Sequence, residues 1–308
     1  MNARHFGKMA LWIAALAGGA SCLPADTRPA PGSILLTVVS ADEPTTMTAD
    51  GWSITIDRLL VGMGNAWFGH PDVRATGRDC IHYSDTPYLR LLDARRPTEQ
   101  KLVIMYGLGP CQFSFNVTWP DTETLLGEGV SEIDKALMAG PEFVTRGGRP
   151  GGIAIDFAAT ATRGDATKRI HWMFRQPMSF ACPPPTNGSP PLELRSGESW
   201  TFPIRARAVT LFADDPDPAL ASLRFDAIAA ADGASGPVDD EVTLDELELM
   251  TLVDARRFGL YPTVVRSPDF NTPSTLGGYV HLLLLPRLVQ LREDITCESL
   301  FGTAFSPR

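Results

Sequence analysis

Gln112–Trp119 reads QFSFNVTW. Phe113, Phe115, Val117 and Trp119 fall on one side of an extended chain, and Gln112, Ser114, Asn116 and Thr118 fall on the other. A period of two does not fit a helix, so the stretch predicts a strand with one apolar and one polar face. The pattern recurs outward in both directions. Upstream, Trp52–Val61 sets Trp52, Ile54 and Ile56 against Ser53, Thr55 and Asp57, Gly62, Gly64 and Gly69 then punctuate a second short segment, and Ser33–Ser40, Tyr88–Asp93 and Lys101–Tyr106 read as further strands. Downstream, Ile153, Ile155 and Phe157 make a stripe, and Trp200, Phe202 and Ile204 make another. Between them Arg163-Gly164-Asp165 reads as a turn, and Lys168–Arg175 sets Ile170, Trp172 and Phe174 against Arg169, His171 and Met173. Roughly nine short strands separated by Gly, Pro and Asp turns predict antiparallel sheets with one face on a core over residues 33–213, hence a β-sandwich or an open barrel. One helix interrupts it, opening at the capping-type sequence Ser131-Glu132-Ile133-Asp134, with Ile133, Leu137 and Met138 on its apolar face.

After Ala213 the composition changes. Asp214-Asp215-Pro216-Asp217-Pro218 is a break, and helices are expected over Ala219–Ala231, Leu244–Phe258 and Leu276–Leu291. The expected fold is therefore α+β: mainly an antiparallel β-sandwich, then a small helix–loop–helix over 214–258, then a C-terminal helix and tail over 259–308 packed on the domain.

The N-terminus carries a different message. Met1–Lys8 holds Arg4 and Lys8 and no acid, Met9–Ala20 is uncharged (MALWIAALAGGA), and Gly19-Ala20-Ser21-Cys22 follows. That order is a secretory signal, too short to span a bilayer as a helix of about 20 apolar residues. Gly19-Ala20-Ser21-Cys22 resembles the lipobox of bacterial lipoproteins, with Gly19 where that motif prefers Leu. The resemblance implies that residues 1–21 are removed and that Cys22 becomes an acylated first residue; plain secretion after a small residue near Ala20 is the alternative. Residues 22–32, with three prolines, read as an extended tether.

Cysteine arithmetic agrees. The chain has five cysteines. If Cys22 takes a lipid, Cys80, Cys111, Cys182 and Cys297 remain, and an oxidising compartment would pair them. Four cysteines allow three connectivities. Cys80–Cys111 with Cys182–Cys297 is preferred, because the first pair lies within one run of strands. The implied location is the bacterial cell envelope, at the outer membrane or cell surface rather than the inner membrane, with the lipid as the only membrane attachment.

A net charge of −9 argues against nucleic-acid binding, which needs a basic footprint. There is no G-x-S-x-G, H-E-x-x-H, P-loop or helix-opening G-x-G-x-x-G. His70, His82, His171 and His281 include no pair four apart, so no helical zinc pair exists, and His171 on a polar strand face and His281 inside an apolar helix read as structural. Trp52, Trp172 and Trp200 lie on apolar stripes and read as core rather than as a sugar platform. No catalytic residue is expected.

One segment carries candidate chemistry. Asp239-Asp240-Glu241-Val242-Thr243-Leu244-Asp245-Glu246 resembles the second half of an EF-hand calcium loop. By that resemblance Asp232 takes the first ligand position, Asp239 a side-chain position, Glu241 a backbone-carbonyl position, Thr243 the position that ligates through water, and Glu246 the closing bidentate carboxylate. The sequence departs from the family in the middle. Asp232 to Glu246 spans 15 residues where the family uses 12. Asp240 stands where the sharp turn wants Gly, and Pro237 and Val238 fall where a ligand is expected. The expectation is a non-enzymatic envelope lipoprotein that binds calcium through Asp232, Asp239, Glu241, Thr243 and Glu246. The alternative is a metal-free adhesion module for an envelope protein or a glycan, with an inert acidic loop.

Overall fold

In the computed structural model, which describes residues 29–69, 80–83, 88–140, 152–182, 192–262, 273–291 and 297–301, Gln112–Val117 closes an 18-residue strand, Gln100–Val117, and Thr118 and Trp119 follow it. The strands in chain order are β1 (Gly32–Ser40), β2 (Thr45–Met47), β3 (Ser53–Gly69), β4 (Ile81–His82), β5 (Leu89–Asp93), β6 (Gln100–Val117), β7 (Leu125–Leu126) and β8 (Ile155–Arg163). Then come β9 (Ala166–Phe174), β10 (Met178–Cys182), β11 (Leu192–Leu194), β12 (Ser199–Ala206), β13 (Glu241–Val242), β14 (Val289–Gln290) and β15 (Glu298–Phe301). The helices are α1 (Glu132–Ala139), α2 (Asp226–Ala229), α3 (Leu244–Leu249), α4 (Leu252–Ala255) and α5 (Leu276–Tyr279).

All the strands join one curled, mixed sheet whose main path runs β13-β9-β8-β3-β6-β1-β12-β14. Pairs β1–β12, β5–β7 and β13–β9 are parallel, and the other described pairs are antiparallel. The fold is thus β-rich α+β, as expected in outline. Two long strands organise it. The first half of β6 pairs with β1, and its second half pairs with β3 and β10. The Gly62–Gly69 segment, punctuated by glycines in the sequence, is not a separate strand but the continuation of β3.

Alternation predicts the core side correctly: Phe113, Phe115, Val117, Phe157, Ile170, Trp172, Phe174 and Phe202 are buried. It misses the other side of β6. Gln112, Ser114 and Asn116 are buried too, and Ser179 Oγ donates to Asn116 Oδ1 at 2.7 Å. Polar groups out of water require such partners.

Residues 31–308 form one compact unit. The sheet recruits strands from beyond both expected segment boundaries, after 213 and after 258: β13 pairs with β9, β14 with β12, and β15 with β10. The expected helices are shorter than their patterns. α1 matches in position, with the Ser131–Asp134 capping box in place, but of its expected apolar face only Met138 is buried, and Ile133 and Leu137 are exposed. Of Ala219–Ala231 only α2 is helical. Leu244–Phe258 breaks at Met250, where Thr251 bridges to Thr275 and then caps α4. Leu276–Leu291 starts as α5, widens to a π turn over Val280–Leu284, and tightens to a 3-10 turn over Leu285–Arg287. Pro286 explains that end, since it has no N–H to give back along the helix.

The disulfides are Cys80–Cys111 and Cys182–Cys297, with Cα atoms 5.0 Å and 4.4 Å apart. The first staples the β4 region to β6, and the second ties β10 to the residue before β15. Residues 1–28, Cys22 among them, and His70 lie outside the described residues.

Candidate functional site

The acidic loop sits beside β9. Parallel pairing sets Glu241 opposite Arg169 and Val242 opposite Ile170. Val242 is fully buried, and its carbonyl accepts from Trp172 Nε1 at 3.0 Å. Asp232 follows α2, and its carboxylate is buried. It accepts from Lys168 Nζ and from the backbone N–H groups of Asp239, at 3.2 Å, and Asp240, at 3.1 Å. Lys168 reaches Asp240 Oδ1 as well, at 2.7 Å. Burial pushes Asp232 toward higher pKa, but the bonds from Lys168 and the two N–H groups outweigh it and hold the carboxyl below its ordinary 3.8.

Glu246 is buried at the start of α3. Its Oε2 accepts from Thr243 N at 2.9 Å, and Thr243 Oγ1 accepts from Glu246 N, which is a capping box. Its Oε1 accepts from Gly233 N at 2.9 Å. Glu246 therefore clasps both ends of the loop. Asp239 Oδ1 bonds Glu241 N at 3.1 Å.

The structure thus brings Asp232 near Asp239 through backbone bonds, and Thr243 onto Glu246. It does not converge the five residues on one point: among the described residues, no three His, Cys, Asp or Glu side chains are grouped to hold a metal ion. Lys168 stands where a cation would neutralise Asp232, and backbone N–H groups occupy both oxygens of Glu246. As arranged, the carboxylates of Asp232 and Glu246 are already satisfied from within the protein. The signals for these contacts were in the sequence: Thr243-x-x-Glu246 is a capping box, and Lys168, which shares its strand face with Ile170, Trp172 and Phe174, is a cation on an apolar face that needs an acid.

A second cluster adjoins the loop, at a cavity of about 470 Å³ that Arg169, Glu241 and Leu137 help to line. Arg58 Nε meets Asp156 Oδ2 at 2.5 Å and Arg58 Nη2 meets Asp134 Oδ1 at 2.8 Å. His171 Nε2 contacts Asp156 Oδ1 at 2.8 Å. His171 was expected to be structural, and it has an orienting acid; among the described residues, however, no hydroxyl or thiol bonds the imidazole, so a nucleophile–base–acid relay is not assembled here. Burial works to lower the pKa of Arg58, and its two carboxylate partners raise it above the ordinary guanidinium value. Arg58 bridges Asp134 and Asp156 and so pins α1 to the sheet.

The other sequence candidates fall as follows. Trp52 and Trp172 are buried, as core residues should be; Trp200 is 39% exposed. Tyr106 and Trp200 are the exposed large aromatics among the described residues, and the register sets Tyr106 opposite Ser33 but Trp200 opposite Ile34, so they project from opposite faces. They form no row for stacking a sugar. His82 is exposed, and His281 contacts Gln176 Oε1 at 2.9 Å. Among the described residues no helix is long and apolar enough to cross a membrane.

No protein-family model, curated protein or solved structure matches this chain.

Proposed function

We propose that this chain is an exported lipoprotein of the bacterial envelope, tethered through acylated Cys22, whose β-rich body is a non-enzymatic binding scaffold. One observation carries the reading. Two disulfides consume Cys80, Cys111, Cys182 and Cys297, so of the chain's five cysteines Cys22 is left over. Such bridges persist in oxidising compartments, and the left-over thiol directly follows an apolar run and three small residues. In this reading the curled sheet is a distorted β-sandwich, and residues 225–250 are an EF-hand-like appendage whose carboxylates serve as ties. The test is cell fractionation with mass spectrometry of the N-terminal peptide. The expected result is a diacylated or triacylated Cys22 in the membrane fraction and release of Cys22→Ala into the soluble fraction. An unprocessed Met1, or a Cys22→Ala chain that fractionates like wild type, removes the anchor from the account.

For the 232–246 loop we infer a metal-independent role, because Lys168 and backbone N–H groups already satisfy Asp232 and Glu246. Thermal melting with calcium and with chelator separates this from the calcium reading. The structural tie predicts the same Tm in both, with Glu246→Gln lowering stability equally in both by about 1–2 kcal/mol, the loss of a cap and a buried charged bond. A calcium-dependent rise that Glu246→Gln abolishes would establish calcium binding instead.

A further inference from the structure

On this acidic chain, one cavity is walled by cations. It measures about 850 Å³ and lies where the end of β12 meets β14 and the π turn; Arg205, Arg207 and Arg287 line it with Leu282, Leu283 and Pro286. Backbone pairing places the groups: Arg205 is opposite Gln290, and Arg207 N donates to Leu288 O at 2.8 Å, which sets Arg207 beside the residue following Arg287. No carboxylate is among the described residues that line the cavity. Arg207 and Arg287 make no ion pair with any described residue. The acids nearest in effect do not close on them: Asp215 and Asp217 act on Arg287 only at a distance, and Asp42, beside Arg207, accepts from Val209 N at 3.1 Å.

Arg287 is half-buried, and burial pulls its guanidinium below its ordinary pKa, the mark of a cation lacking a counter-charge. A desolvated cation without a partner is costly, and the buried carboxylates of Asp156, Asp232 and Asp214 each meet a cation. The π turn is a separate observation. One extra residue in the turn shifts the helical phase by about 100°. Val280, Leu284, Leu285 and Leu288 stay in the core, while Leu282 and Leu283 come out half-exposed against the cavity. The cavity size is that of a small-molecule site, with an apolar wall and a few convergent polar groups.

We propose that this groove binds an anionic amphiphile, with Arg207 and Arg287 holding its phosphate or carboxylate head and Leu282, Leu283 and Pro286 holding its aliphatic part. A planar guanidinium pair suits an oxyanion by forked, charge-assisted bonds, and a neutral head has nothing to offer it. The proposal does not depend on the lipid anchor.

The test is calorimetric titration of the purified full-length chain with octyl phosphate below its micellar concentration, beside octanoate, octyl glucoside and inorganic phosphate. Octyl phosphate or octanoate should bind about tenfold or more tightly than octyl glucoside or inorganic phosphate, and Arg207→Gln with Arg287→Gln should remove about that factor. Leu283→Ser should weaken octyl phosphate and leave inorganic phosphate unchanged. Should the double variant lose its folded circular dichroism, the exposed Arg207→Gln alone supplies the reading. Equal binding of octyl glucoside, or undiminished octyl phosphate binding by the folded arginine variants, overturns the proposal. Flotation with phosphatidylglycerol vesicles against phosphatidylcholine vesicles tells the source. Because both chains share one N-terminus, phosphatidylglycerol retention lost in the arginine variants assigns the head to a membrane lipid, and retention unchanged beside weakened octyl phosphate binding assigns it to a free amphiphile; either upholds the site.

Discussion

Lys168 shows how one side chain can change the meaning of a motif. The Asp232–Glu246 segment has the carboxylates of a cation loop, and the cation that meets Asp232 is the protein's own. Lys168 is nearly buried and Asp232 more so, with side chains 14% and 1% exposed. Removing the cation leaves a buried carboxylate with backbone donors only, so Lys168→Met should cost about 3 kcal/mol, read as a lower denaturation midpoint at pH 7. The pH dependence follows in sign. Asp232 titrates below its unfolded 3.8, so its contribution is complete at neutral pH, where the carboxylate is charged in both states. It declines as pH falls below about 4 and is gone once the folded carboxyl is protonated. The stability gap between wild type and Lys168→Met should therefore narrow from pH 6 to pH 3; a gap that stays constant would show that the pair contributes through packing alone. In the sequence, Asp232 and Glu246 stood out correctly as special residues. Their partners did not, because Lys168 lies 64 positions from Asp232 and nothing local joins them.

At the scale of elements, strand periodicity was legible and strand length was not. β3 runs through Gly62 and Gly64 because those positions have no room for a side chain. A Cβ on Gly62 would lie 2.0 Å from the carbonyl oxygen of Thr118, and one on Gly64 would lie 2.3 Å from that of Tyr88. The glycines that looked like punctuation permit neighbouring backbone to cross the strand. Gly62→Ala should cost about 2 kcal/mol or more, since backbone must move, whereas Gly236→Ala, whose Cβ would meet open space, should cost little. Comparable losses in a chemical denaturation series would contradict this account of β3. Helix lengths were overread for a related reason. The apolar spacing of Leu244–Phe258 is real, but the Thr251–Thr275 bridge takes the backbone of Thr251 out of the helix, and tertiary contacts of this kind override propensity.

At the scale of the molecule, the two disulfides close loops of different size, with separations of 31 and 115 residues. The entropy removed from the unfolded chain grows with the logarithm of loop length, so Cys182–Cys297 should stabilise by about 1 kcal/mol more than Cys80–Cys111. The paired replacements Cys182→Ala with Cys297→Ala, and Cys80→Ala with Cys111→Ala, compared by urea denaturation, test that order; the reverse ranking would refute it. The longer bridge also secures β15 to β10 and so holds the chain's C-terminal portion to the sheet that its middle builds.

The sequence by itself determined the β-rich class, the apolar face of β6, β8 and β9, the cap of α1 and the parity of the cysteines, because each depends on residues near in the chain or on counting. Only the tertiary structure decided which cation answers Asp232, why the polar side of β6 is buried, and how Arg207 and Arg287 come to share one groove. Those outcomes depend on pairings between distant segments, and a period of two or of 3.6 says which face is apolar but not what lies across from it.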